Sequence, residues 1–261
     1  MRKHHIKSFS KFYNHPAIKF IFKLSLENDF NIWIVGGAVR DHLIGRNISD
    51  IDFVSDLEPQ KMLEVFKKNE VRYEDTFLHY GTLVFSLFNK KYYITTLRED
   101  YAYDGRHSKI EFTKSLSVDA KRRDLTINSL YLNQSGEIID FFNGVNDLYN
   151  SKLIFVGEIK KKCFEDHLRI IRYIRFCSLF KKPIISEQYM DFFKENSFLV
   201  KKINREKCVS EIKKIFKNNF ITNSFLLFQD LKIENYIVEK ILTNEKKLKK
   251  KLCSFFIKSI N

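Results

Sequence analysis

Proline and glycine are scarce, at 3 and 8 in 261 residues. That poverty excludes a collagen-like repeat, a linker-dominated chain and a low-complexity chain, and it leaves little to interrupt helices. Cysteine is also sparse, with residues at 163, 177, 208 and 253 and no C-x-x-C pair. Neither a disulfide scaffold nor a cysteine-held zinc fits that spacing, so reduced and mostly buried thiols are expected. No apolar run reaches the roughly 18 residues needed to span a bilayer. The basic, aromatic stretch from Met1 to Asn14 lacks the apolar core and cleavage site of a signal peptide. A soluble, cytoplasmic protein is the expectation. What is present is 44% hydrophobic and 30% charged residues, in a chain long enough for one large domain or two smaller ones with cores of their own.

Charge is unevenly placed. Lys and Arg exceed Asp and Glu by 1 in residues 1–150 and by 13 in residues 151–261, within a net charge of +14. The second half therefore suits an acidic partner, nucleic acid first and a membrane surface second. A generally Lys-rich composition explains the same numbers, and composition alone leaves these readings level.

Local patterns divide the chain in the same way. Pro16 opens a helical stretch over 16–28, and the β-branched run Ile32–Val35 ends at Gly36-Gly37. A helix over Ala38–Ile44 and a strand over Ile51–Val54 follow, giving strand, Gly-Gly turn, helix, strand. Strand-like runs recur at Thr82–Phe88, Tyr92–Leu97 and Ile110–Phe112, so the first half reads as mixed α/β around one sheet. From Phe164 onward apolar residues recur at helical spacing, as in Leu168, Ile171 and Ile174, which predicts an all-helical second half.

Asp50 and Asp52 are separated by one residue on the predicted strand, so both side chains leave the same face with Cα atoms roughly 6.6 Å apart. Two such carboxylates can converge on hard divalent cations of the kind that assist nucleotidyl transfer. In isolation Asp-x-Asp more often marks solvated loop or cap residues. The upstream context shifts the balance. Gly36 and Gly37 stand in a turn ahead of a helix, where missing side chains let backbone N–H groups approach phosphate, and Arg40 can fork onto its oxygens. A plain turn with a surface arginine explains each residue singly but not their order with the aspartates.

Gly36-Gly37-Ala38-Val39-Arg40-Asp41 followed by Asp50-Ile51-Asp52 resembles the head-domain signature of the class II tRNA nucleotidyltransferase and poly(A) polymerase family. Further matches follow in the family's order: Asp104-Gly105-Arg106-His107 resembles its flexible loop, Arg122 to Asn128 its ribose-binding motif, and Glu165-Asp166-His167-Leu168-Arg169 its nucleobase-reading motif. Asn204 to Ile215 more weakly resembles the neck helix, with Glu206 and Glu211 at its acidic positions. Leu78-His79-Tyr80-Gly81-Thr82 and the Asp104–His107 loop are similar to the CCA-adding branch rather than the polyadenylating one.

The resemblance implies a nucleotidyltransferase head with a mixed, largely antiparallel sheet over 1–150, a helical neck over 151–216 and a shortened helical body over 217–261. It implies Mg²⁺ at Asp50 and Asp52, and binding of CTP and ATP by Gly36, Gly37, Arg40, Arg122, Arg123, Asp124, Asp166, Arg169, Arg172 and Arg175. Arg122 and Arg123 suit phosphates, and Asp124 can accept from a ribose hydroxyl. A salt-bridged helix start is the alternative for that trio. Asp166 and Arg169, three apart on a predicted helix with Arg172 and Arg175 extending the stripe, set an acceptor beside a donor. Such a pair matches the amine and ring nitrogen of cytosine or adenine and rejects uracil and guanine. A plain salt bridge is the alternative here.

Two departures stand out. Many relatives carry a carboxylate just before the Ile-Thr-Thr strand where this chain has Tyr93, and the chain ends at Asn261, short of the body and tail of bacterial members. The run Lys246, Lys247, Lys249, Lys250, Lys251 could restore some grip on RNA, or simply be a solvated helix end. The resulting expectation is template-independent addition of C, C and A to the 3′ end of tRNA. Poly(A) or partial addition is the alternative within the class, and a catalytically weakened RNA-binding protein the alternative outside it.

Overall fold

The computed structural model describes residues 2–5, 13–48, 50–103, 108–241 and 243–258. The chain divides into two compact units, Met1–Tyr149 and Asn150–Asn261. The loop Asp104–His107 lies outside the described residues.

In the first unit an eight-stranded sheet is built from β1 (Arg2–His5), β2 (Ile32–Val35), β3 (Asp52–Ser55), β4 (Tyr73–Glu74), β5 (Thr82–Leu87), β6 (Lys90–Thr96), β9 (Leu130–Leu132) and β10 (Glu137–Asp140), in the order β1-β10-β9-β2-β3-β6-β5-β4. The intervening β7 (Arg98–Tyr103) and β8 (Ser108–Phe112) form a separate hairpin. Within the large sheet β3 and β6 run parallel and the other neighbours antiparallel. The fold is thus the mixed, largely antiparallel sheet expected, widened by β1, β4, β9 and β10, which are too short to announce themselves by alternation.

Strand periodicity explains why both faces are apolar. Ile34 and Val35 leave β2 on opposite sides, as Phe53 and Val54 leave β3. Ile34, Phe53, Ile94 and Phe85 join one core with Ile18, Ile21 and Phe22 of α1 (Pro16–Glu27). Met62 and Phe66 of α3 (Pro59–Lys68), which follows α2 (Gly37–Leu43), belong to the same core. Val35, Val54, Leu97 and Tyr131 form a second core with Ala120 of α4 (Leu116–Arg122). Each large apolar side chain buried in this way contributes roughly 1.5–3 kcal/mol. The helix α5 (Gly144–Tyr149) closes the unit.

The second unit is helical. Its centre is α7 (Leu168–Cys177), preceded by α6 (Ile159–Glu165) and followed by α8 (Glu187–Asn196), α9 (Arg205–Ile215), α10 (Ile221–Asp230) and α11 (Lys246–Lys258). Ile170, Ile171, Tyr173, Ile174 and Phe176 of α7 are buried, and the Tyr173 ring meets Phe193 of α8 at 4.8 Å. The four cysteines are free. Burial pushes the Cys163 and Cys208 thiols up to about 12, so both stay protonated and unreactive at neutral pH. Among the described residues no helix is long and apolar enough to cross a membrane.

Candidate functional site

Strand register assembles the site. Asp52 opens β3 opposite Val35 in antiparallel register, and Val35 is the last residue before the Gly36-Gly37 turn. The turn and the aspartate therefore share one end of the sheet. Asp50 and Asp52 are both exposed. Asp50 lies ahead of the strand, which begins at Asp52 rather than at Ile51 as the sequence suggested, because ladder pairing starts only where β3 meets β2 and β6.

On the other side of Asp52, the parallel partner is Tyr93, 42% exposed. The position expected to carry a third carboxylate thus abuts Asp52 directly and holds a phenol. Among the described residues no group of three or more His, Cys, Asp or Glu gathers as a metal cluster. Two exposed carboxylates still fit a divalent cation of the Mg²⁺ type, which commonly takes one or two protein carboxylates and completes its shell with phosphate and water.

Gly36 adopts φ +69°, ψ −118°, a conformation that side chains disfavour, and donates its N–H to the Leu130 carbonyl at 2.9 Å. A Cβ there would stand 3.4 Å from the Asn128 carbonyl oxygen and 3.7 Å from Arg123 Nη1. Arg40 is buried rather than offered to solvent. It pairs with Asp41 at 2.8 Å and donates to Asn128 Oδ1. Burial lowers its pKa and the neighbouring Asp41 opposes that shift. Asn128 in turn donates to Asp124 Oδ1 at 3.1 Å. Arg40, Asn128 and Asp124 are therefore linked in one hydrogen-bonded brace beside the turn, with Arg40 only 7% exposed.

Asp124 is 7% exposed, and its Oδ1 also accepts from Leu125 N at 2.7 Å. Arg122 and Arg123 keep 17% and 16% of their side chains exposed. Both are held by Asp119, which is fully buried and which sequence reasoning passed over. The signal was available: Asp119 stands three and four residues before the arginines on α4, the spacing at which helical side chains meet. Burial alone would raise its pKa, but Arg123 and Arg122 pull it down to about 2.

In the second unit, the nucleobase motif differs from the single helical face expected. α6 ends at Glu165, and Asp166 is extended at φ −146°, ψ 105°. Its exposed carboxylate accepts from Leu168 N at 3.0 Å, at the start of α7. Asp is a strong helix-start residue, and its competition for backbone donors accounts for the break. Arg169, 8% exposed, donates through Nη1 to Glu165 at 2.8 Å and to the Lys162 carbonyl at 3.1 Å. Arg175 pairs with Glu211 of α9 at 2.6 Å, while Arg172, 32% exposed on its side chain, lies 3.9 Å from the same carboxylate. Burial would raise the Glu211 pKa, but Arg175 and Arg172 hold it below the usual range. Glu165 and Glu211 are therefore anchors for the arginines singled out in the sequence.

Comparison with known proteins finds similar sequences and a similar fold. Residues 32–154 match the family model described as the poly A polymerase head domain. Human mitochondrial CCA tRNA nucleotidyltransferase 1 is 38% identical over 224 residues, covering 85% of this chain and 52% of the human protein. A CCA-adding enzyme of Lactobacillus helveticus is 35% identical over 206 residues, 78% of this chain and 50% of that one. The CCA-adding enzyme of Bacillus stearothermophilus, solved in complex with CTP, superposes with a TM-score of 0.70 at 30% identity, over 80% of this chain and 50% of that one. The chain thus spans about half the length of the curated relatives it matches. Residues 32–154 are thus similar to the poly A polymerase head domain, and most of the chain is similar to about half the length of proteins named as CCA-adding enzymes.

Proposed function

We propose that this chain adds C, C and A to the 3′ end of tRNA from CTP and ATP without a template. The observation that carries the reading is the convergence at one sheet end of the Gly36-Gly37 turn with Asp52, over the brace that contains Asp124. In the reaction the RNA 3′-hydroxyl oxygen bonds to the α-phosphorus, the bond from that phosphorus to the bridging oxygen breaks, and pyrophosphate leaves. Asp50 and Asp52 would hold Mg²⁺, which would help activate the hydroxyl and stabilise the leaving charge. Gly36 and Gly37 let the triphosphate approach backbone N–H groups, Arg122 and Arg123 face its oxygens, and Arg40 supports the turn from below. Asp124 accepts from the ribose hydroxyl. Residues 151–216 act as the neck, where Asp166 and Arg169 read the base edge and Arg172 and Arg175 extend the basic side.

Tyr93 beside Asp52 favours a second reading, a catalytically weakened RNA-binding protein. Incubating the purified chain with tRNA lacking its terminal CCA, Mg²⁺ and each nucleotide separately decides between them. CTP and ATP addition supports the first reading, ATP alone indicates polyadenylation or A-addition, and binding without incorporation supports the second. Within the first reading, Asp166→Ala and Arg169→Ala should narrow the preference for CTP and ATP over UTP and GTP by roughly five- to a hundred-fold, since one base-edge contact is worth about 1–3 kcal/mol. Preference ratios equal to the parent's would leave the pair a structural one.

The basic second half should hold RNA through phosphate contacts. Lys246, Lys247, Lys250 and Lys251 on α11 are exposed. Affinity for tRNA is expected to fall steeply with salt, and replacing the run Lys246, Lys247, Lys249, Lys250, Lys251 by Gln should flatten the log–log slope by several units. An unchanged slope would make the run a solubilising surface only.

A further inference from the structure

Nothing in the reaction as described uses Asp119, yet it is a carboxylate with no exposed surface whose two oxygens organise both arginines of the candidate site. Its Oδ1 accepts from Arg122 Nε at 2.8 Å. Its Oδ2 accepts from Arg123 Nη2 at 2.8 Å, from Arg123 Nε at 3.2 Å and from the Tyr131 hydroxyl at 2.7 Å. The Tyr131 hydroxyl oxygen in turn accepts from Arg123 Nε at 2.9 Å, and the guanidinium carbon lies 5.1 Å from the centre of the Tyr131 ring. Arg123 is thereby held on two of its three nitrogens and from beneath by a ring. The third nitrogen, Nη1, is the one that stands 3.7 Å from where a Gly36 Cβ would be.

We propose that Asp119, with Tyr131, is a positioning residue for the triphosphate: it fixes the Arg123 guanidinium so that Nη1 faces the Gly36 turn, and holds Arg122 beside it. The inference rests on the nucleotide-site reading above. An arginine free to rotate loses several rotamers on ordering, whereas one already docked on a buried carboxylate does not. Two adjacent guanidinium groups also repel, and a single anionic group between them removes that penalty without occupying all their donors. The Tyr131 hydroxyl makes the arrangement directional, because it donates to Asp119 and accepts from Arg123 at the same time.

The role predicts an effect on phosphate recognition that is independent of the base and of the chemistry. In the parent chain CTP should bind more tightly than CMP, and ATP more tightly than AMP, in Ca²⁺ without tRNA, measured by calorimetry. Asp119→Asn places an amide N–H against an arginine N–H, and should reduce both triphosphate-to-monophosphate ratios together by ten-fold or more. Tyr131→Phe removes one hydroxyl and should reduce them two- to five-fold, and it decides the matter if Asp119→Asn does not fold. In turnover with tRNA the KM for CTP and for ATP should rise in parallel in both variants. Ratios that stay at the parent value in folded Tyr131→Phe and Asp119→Asn, with only a lower melting temperature, would overturn the positioning role and leave the network structural. A parent that binds CTP no better than CMP overturns the nucleotide-site reading itself, and the positioning role falls with it.

Discussion

Asp50→Ala or Asp52→Ala should reduce nucleotide addition by roughly a thousand-fold or more, since a divalent cation contributes several kcal/mol of transition-state stabilisation and 1.36 kcal/mol is ten-fold in rate. Both side chains are exposed at the end of the sheet rather than packed in either core. The melting temperature should therefore stay within a few degrees of the parent. Incorporation of labelled CTP into tRNA lacking its end, measured beside thermal melting, tests both halves of the statement. Near-parental incorporation by either variant would remove the carboxylate pair from the site. Tyr93→Glu is the natural companion, because the residue is exposed and stands in register beside Asp52. Activity should be retained or rise, and the Mg²⁺ concentration for half-maximal rate should fall.

Gly144→Ala should destabilise the first unit by about 3 kcal/mol or more, the range of severe overpacking. A Cβ at this position would lie 2.1 Å from the Thr126 carbonyl oxygen and 2.6 Å from its carbon, and both atoms are backbone. Relief requires moving the turn at Thr126–Asn128, whose Asn128 braces Arg40 and Asp124. It also strains the N–H bond from Gly144 to Asp140 Oδ1 at 2.9 Å. A fall in melting temperature of roughly 6–12 °C follows for a protein of this size, and whatever remains folded should show weaker nucleotide addition. A variant that melts with the parent would mean that the α5 start yields easily, and that the close approach of Gly144 to Thr126 is not needed.

Much of this architecture was legible in residue order. The β2 run ending in Gly36-Gly37, the helix after it and the strand bearing Asp52 lie within two residues of their expected limits, because β-branched runs and glycine turns act over a few residues. The strands β5, β6 and β8 and the helical second half were legible for the same reason, whereas β7 was not. The short strands β1, β4, β9 and β10 were not. A strand of two to four residues has too little alternation to register, and it exists only because a neighbour supplies the ladder.

The residue types at the site were likewise set by sequence: two aspartates, a glycine pair, an Arg-Arg-Asp run and an Asp/Arg motif, in an order that itself pointed to nucleotide chemistry. What each charge touches was decided by tertiary structure alone. Arg40 and Asp124 meet through Asn128, 88 residues from Arg40, and Asp52 meets Tyr93 through a parallel pairing of β3 with β6, strands separated in sequence by α3, β4 and β5. Asp166 left the helix because a carboxylate ahead of Leu168 competes for its N–H, so Asp166 and Arg169 do not share the single helical face their spacing suggested. Short-range patterns specify conformation because their competing energies are local. The partners of buried charges depend on which distant segments fold against them, and desolvation makes that choice of partner obligatory once the chain has closed.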